Sequence, residues 1–171
     1  MKVFKLFVTV VLLTVVTAGA SGQELKFGHL NVQKLISELP AKQAADKELR
    51  SEAEKLQQQL QVMRQELDQK YSNYMEQRDS MSQLVRSTRE KEIQDYDKRI
   101  QNFNRMAQQT LSEKEQELLQ PVINKVEKAI KAVGEEEGFI YIFDVSSQMI
   151  LYNSDQSVNV EDMVKAKLEE M

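Results

Sequence analysis

Residues 41–120 read AKQAADKELRSEAEKLQQQLQVMRQELDQKYSNYMEQRDSMSQLVRSTREKEIQDYDKRIQNFNRMAQQTLSEKEQELLQ, and Pro40 and Pro121, the only two prolines, bracket them. The stretch holds no glycine and is dominated by strong helix formers: Leu, Glu, Lys, Gln, Arg, Met and Ala. As one straight helix it would reach ~120 Å at the usual rise per residue; folded once, it makes a hairpin with arms of ~60 Å. Its first half carries a seven-residue repeat. One row is Leu49, Leu56, Met63, Lys70, Gln77 and Leu84; the other is Ala53, Leu60, Leu67, Tyr74, Met81 and Thr88. Together they form a coiled-coil seam that is apolar near the base and degrades outward. Ser, Asp and Thr cluster between Ser80 and Thr88, near the midpoint, and compete with helical backbone bonding, so the tip is expected there.

The return arm repeats apolar residues at Ile93, Tyr96, Ile100, Phe103 and Ala107. It slips by about one residue near Leu111, then continues through Leu118, Val122, Val126, Ala129 and Val133. Asp46–Arg50, Glu66–Lys70, Asp95–Arg99 and Glu127–Lys131 have the acid one turn before the base, the favourable order for solvated helix support. Pro121 should remove the bond to the Glu117 carbonyl and bend the helix where the arm meets a small body.

Outside the rod, Leu25 to Leu30 reads as a strand, and Asn31 as the N-cap of a helix from Val32 to about Glu38. Pro40 suits the first turn of the long helix. Gly138 is the C′ candidate that ends the return helix. Phe139 to Phe143 is apolar on both faces and is expected to be a strand buried from both sides. Ser146-Ser147-Gln148 reads as a turn and Met149 to Tyr152 as a second strand, giving a hairpin. Asn159 with Asp162 resembles a capping box for a last helix through Met171. Three short strands cannot close a sheet and leave open edges, so the economical solution is a homo-oligomer that pools strands. The body candidates for that assembly are Phe27, Phe139, Ile140, Tyr141, Ile142, Phe143, Ile150 and Tyr152.

The N-terminus has the form of a secretory signal peptide: Lys2 and Lys5, an apolar run from Leu6 to Val16, then the small residues Ala18-Gly19-Ala20. The run is short of the ~20 residues a membrane span needs, so cleavage after Ala20 is expected, with Gly22 the alternative, leaving 21–171 as one exported domain with no membrane anchor. Cleavage would shift the net charge from −4 to −6. The chain has no cysteine and a single histidine, His29, which excludes disulfides, thiolate chemistry and multi-histidine metal sites. None of the five glycines opens a phosphate loop, and the many carboxylates lie on regular helix faces, so neither an ATP site nor catalysis is expected. No cofactor is implied. The acidic charge disfavours nucleic acid.

In that frame the chain resembles the Skp (OmpH-like) family of periplasmic chaperones. The resemblance rests on the signal peptide, on 26–32 (KFGHLNV), 119–130 (LQPVINKVEKAI) and 137–144 (EGFIYIFD), on Tyr152, and on the closing helix from Val160 to Leu168. It implies an α+β, mainly α fold: a jellyfish-like trimer with three helical-hairpin arms on a shared β body. It further implies an ATP-independent holdase that keeps unfolded outer-membrane β-barrel proteins in the cavity between arms. Two features depart from the best-known relatives, which are strongly basic. This chain is acidic, and Leu111 to Lys114 carries no arginine cluster, so contact with lipopolysaccharide is not carried over. Within the chain the tip from Arg78 to Arg105 is mildly basic and the acid sits from Glu113 to Glu137.

Binding is what remains for the arms. Met63, Tyr74, Met81 and Phe103 suit the hairpin core. Tyr71, Met75 and Met106 lie off the seam and, with Arg78, Arg86 and Arg89, are the candidates for adaptable client contacts. The competing class is a structural or adaptor coiled coil of the envelope that binds one folded partner; composition does not separate the two.

Overall fold

A computed structural model of the chain describes residues 25–147 and 149–171, so the expected signal peptide and the 1–20 boundary lie outside the described residues. Strand β1 (Phe27–Leu30) leads into α1 (Val32–Glu38) and the long helix α2 (Pro40–Gln77). A 3₁₀ turn (Arg78–Ser80) reverses the chain into α3 (Gln83–Glu137). Then follow β2 (Tyr141–Asp144), β3 (Val158–Asn159) and α4 (Glu161–Glu170).

The local signals that start and stop the helices act as read. Asn31 accepts from the Lys34 N–H at 2.8 Å, and Pro40 opens α2. Gly138 adopts φ 70°, which costs a residue without Cβ little, and the Phe139 N–H returns to the Gly134 carbonyl at 3.0 Å. Pro121 lies inside α3, which runs past it without ending.

The tip is earlier and tighter than expected, spanning Arg78 to Ser82 rather than 80–88. Ser82 is the N-cap of α3, its hydroxyl taking the Val85 N–H at 3.4 Å. Ser87 and Thr88 do not break the helix: both hydroxyls donate back to the Leu84 carbonyl, at 3.0 and 2.9 Å, and stay within it. The early turn takes Leu84 out of the seam and leaves it 76% exposed. Otherwise the repeat packs as read: Leu49, Ala53, Leu56, Leu60, Met63, Leu67, Tyr74 and Met81 are buried or half-buried, while Lys70, Gln77 and Thr88 face solvent. None of the four expected one-turn ion pairs forms. Asp46 pairs with Lys42, Asp95 with Lys98 and Lys131 with Glu135, and Glu66 reaches across the arm to Tyr96. Exposed pairs of this kind gain little, so side chains settle on whichever neighbour is nearer.

The body is a three-stranded parallel sheet ordered β2-β1-β3. Gly28 faces Ile142 on one side and Val158 on the other. The expected hairpin is therefore corrected. Met149 to Tyr152 forms no strand; instead the chain leaves β2, crosses the sheet and pairs Val158–Asn159 with the far edge of β1. Val160 continues that pairing through its N–H to the His29 carbonyl at 3.0 Å and is itself fully buried. The capping box is corrected with it. The Asn159 carboxamide accepts from the Glu161 N–H at 2.9 Å, the helix begins at Glu161, and Asp162 takes no part. His29 is half-buried, its Nδ1 2.8 Å from the Ser157 hydroxyl, which pins the end of the crossing segment to β1.

One face of the sheet is covered by the base of α3, by α1 and by α4. Leu30, Leu35, Val126, Ala129, Val133, Val160, Val164 and Leu168 form the core, and Phe139, Ile142 and Val158 pack against it. Four charges tie α1 to α4 at the rim: Lys34 and Lys165 both reach Glu161 at 2.9 Å, and Lys165 reaches Glu38 at 2.7 Å. Gly28 lies under this core. A Cβ there would sit 3.0 Å from Val160 Cγ1 and 3.2 Å from both Ile142 Cγ1 and Phe139 Cδ1. Gly28→Ala is therefore expected to cost about 1–3 kcal/mol by overpacking. A urea melt checks this, and an unchanged midpoint would contradict the packing.

Candidate functional site

The second face of the sheet is the largest departure from the expected two-sided burial. Strand alternation sends Gly28, Leu30 and Ile142 into the core, and so Phe27, Tyr141 and Phe143 onto the opposite face. The parallel register sets Phe27 beside Tyr141, and the two rings stack with centroids 6.4 Å apart and planes 1° apart. Phe143 joins them at 5.8 Å from Tyr141 and 6.5 Å from Phe27. These three rings are 36%, 60% and 38% exposed. The bare crossing segment continues the apolar surface: Met149, Leu151 and Tyr152 are more than four-fifths exposed. Between the segment and the sheet lies a cleft of about 830 Å³, to which Phe27, Phe143, Ile150 and Tyr152 contribute. Of the eight body candidates, Phe139 and Ile142 are used by the chain's own core. Ile140 stands half exposed before β2.

A carboxylate caps the far end of β2. Burial pushes the Asp144 carboxyl up, but the Ser146 N–H, the Ser146 hydroxyl and the Val32 N–H all donate to it. Together they hold it below its ordinary value. Asp144 thus fixes both the entry to α1 and the exit of the crossing segment.

On the arms, Tyr71, Met75 and Met106 are 53%, 48% and 64% exposed. Tyr71 and Met75 lie one turn apart on the same side of α2. At the tip, Arg86 spends its guanidinium on the Arg78 carbonyl at 3.0 Å, and Arg89 pairs with Glu92 at 2.8 Å. Leu84 and Val85 add exposed apolar surface beside these arginines. Sequence reasoning missed both, because it set Leu84 in the seam and saw no pattern at Val85. Among the described residues no group of three His, Cys, Asp or Glu side chains could hold a metal ion, and no helix is long and apolar enough to cross a membrane.

The family model for outer membrane proteins of the OmpH-like type matches residues 26–168. The chain belongs to the OmpH-like family. Among curated relatives, the chaperone protein Skp of Photorhabdus luminescens is 27% identical over 131 residues, 77% of this chain and 79% of that one. The Skp of Photorhabdus laumondii is 26% identical over 122 residues, 71% and 74% of the two chains. Among solved structures, an OmpH-like chain from Caulobacter crescentus CB15, assigned there as an outer membrane chaperone, superposes with a TM-score of 0.74. The overlap covers 85% of each chain at 15% identity, so it establishes a shared fold. The OmpH-like match begins at β1 and ends in α4. It therefore takes in both surfaces described above, the open aromatic face and the arm.

Proposed function

We propose that this OmpH-like chain is an ATP-independent holdase chaperone of the periplasm. It keeps unfolded outer-membrane β-barrel proteins from aggregating before their insertion, in a cavity between the arms of a homotrimer. The observation that carries the reading is the stacked aromatic face of Phe27, Tyr141 and Phe143. An apolar sheet face with unpaired edges calls for copies of the same chain to cover it, as monomers rarely leave such a patch bare. Pooling bodies this way sets the arms side by side around a common space. Each arm is about 60 Å long by the helical rise of α2's 38 residues.

Family membership and the two relatives named as chaperones support the holdase over an envelope scaffold. So do the soft side chains Tyr71, Met75 and Met106, which offer shape-tolerant contacts with no fixed epitope. Many loose contacts hold a client without ordering it. The signal-like N-terminus supports export.

The test dilutes an unfolded outer-membrane β-barrel protein from urea into buffer with and without protein beginning at Ser21, and follows turbidity. Suppression at about one oligomer per client, unchanged by ATP, is expected. A well-folded oligomer that leaves turbidity untouched would overturn the reading in favour of a scaffold.

A further inference from the structure

The apolar seam thins toward the tip, yet two of the best-buried side chains of the arm lie there: Tyr74 on α2 is 8% exposed and Tyr96 on α3 is 9%. Each hydroxyl donates to a carboxylate on the opposite helix, Tyr74 to Glu90 and Tyr96 to Glu66. The pairs are reciprocal. Helix α2 gives the ring at one level and the carboxylate at the other, and α3 does the reverse. Nearer the body Lys114 Nζ meets Glu48 across the arm at 2.9 Å. In all three contacts the partners lie at nearly equal chain distance from Met81, so all belong to one antiparallel register. Lys70 and Arg99 lie over the Tyr96 ring, at 5.6 and 5.1 Å from its centroid, and cover it.

A seven-residue repeat is by itself a poor ruler, since sliding one helix by a heptad matches apolar residues again. A polar seam side chain that finds a charged partner in only one register opposes that freedom, because sliding the helices breaks the charge-assisted bond. Between Leu67 and Met81 on α2, the seam positions Lys70 and Gln77 supply no apolar side chain, so Tyr74 stands alone there. The carboxylate acceptors, with burial, hold both phenols above their ordinary value, and the hydroxyls stay protonated donors throughout the neutral range.

We propose that Tyr74–Glu90 and Tyr96–Glu66 are register locks that hold the outer half of the arm closed in a single pairing. The inner arm and body hold themselves through their apolar contacts. The locks stand independently of what the arm binds.

The test is a double-mutant cycle read by native-state hydrogen exchange. In the parent, Glu66→Ala is expected to raise exchange of outer-arm amides roughly ten-fold, with body amides around Val126 to Val133 unchanged. On top of Tyr96→Phe, which keeps the ring, the same change is expected to add little, because the partner is already gone. Equal effects of Glu66→Ala in both backgrounds, or none in either, would overturn the lock. The same cycle applies to Tyr74 and Glu90. The chain has no cysteine, so spin labels at Gln69→Cys and Gln94→Cys report the register directly. A narrow distance distribution is expected in the parent and a broadened or second one in Tyr74→Phe/Tyr96→Phe. A narrow distribution unchanged in that variant would overturn the proposal.

Discussion

Protein carrying Phe27→Glu together with Phe143→Glu is expected to run as a monomer in light scattering and to leave the turbidity of a diluted client unchanged. The two side chains share the uncovered face of the sheet, 6.5 Å apart ring to ring, and each already meets solvent in the single chain. Two carboxylates there replace rings that stack on one another and are only partly exposed, so circular dichroism of the variant is expected to show the parent's helix content before its mass is read. In an assembly that buries this face they are unpaired charges in an apolar interface, and truncated or mismatched buried charges cost about 2–5 kcal/mol. Three copies would multiply the effect. A double variant that keeps the parent's mass would place the interface elsewhere and remove the observation on which the proposed assembly rests.

Val126→Asp is expected to act at the other end of the scale, on the body itself. Val126 is 1% exposed, at the centre of the cluster formed by Leu30, Leu35, Val133, Val160 and Val164. Among the described residues no polar side chain belongs to that core, so an introduced carboxylate has nothing to pair with. An uncompensated buried charge costs about 3–5 kcal/mol, a large part of the 5–15 kcal/mol by which domains are stable. Helical signal from the arm should partly survive, because long amphipathic helices keep some local structure. Urea unfolding of the body should move to far lower concentration, and assembly should be lost. A variant with the parent's midpoint would contradict the core as described.

The arm was legible because its signals are local. The absence of glycine and proline, the seven-residue repeat, Asn31 and Pro40 at helix starts and Gly138 at the end each act within a turn or two of their own position. The tip was misplaced for a local reason of opposite sign: Ser87 and Thr88 turned their hydroxyls onto the Leu84 carbonyl and so tolerated the helix they were expected to break. The sheet was less legible because a strand exists only with its partner. Met149 to Tyr152 has the composition of a strand but does not pair with the free edge of β2, because the chain there crosses to the far side of β1. Val158–Asn159, two residues with no pattern of their own, is a strand solely because β1 lies beside it. The cross-arm pairs were invisible for the same reason. Sequence spacing shows Glu66 facing Lys70 one turn away, and only the folded hairpin brings it to Tyr96.

The open aromatic face was half legible. Its residues were picked out as body candidates, but the alternation that buries Ile142 and bares Tyr141 and Phe143 depends on the register with Phe27.

The most direct measurement is the mass of protein beginning at Ser21 by native mass spectrometry, alone and after an unfolded outer-membrane β-barrel protein is diluted into it. The account predicts three copies in the free state and three copies plus one client after dilution, with no complex when the client is folded beforehand. A single copy that binds no client, or an oligomer that captures folded and unfolded protein alike, would contradict it.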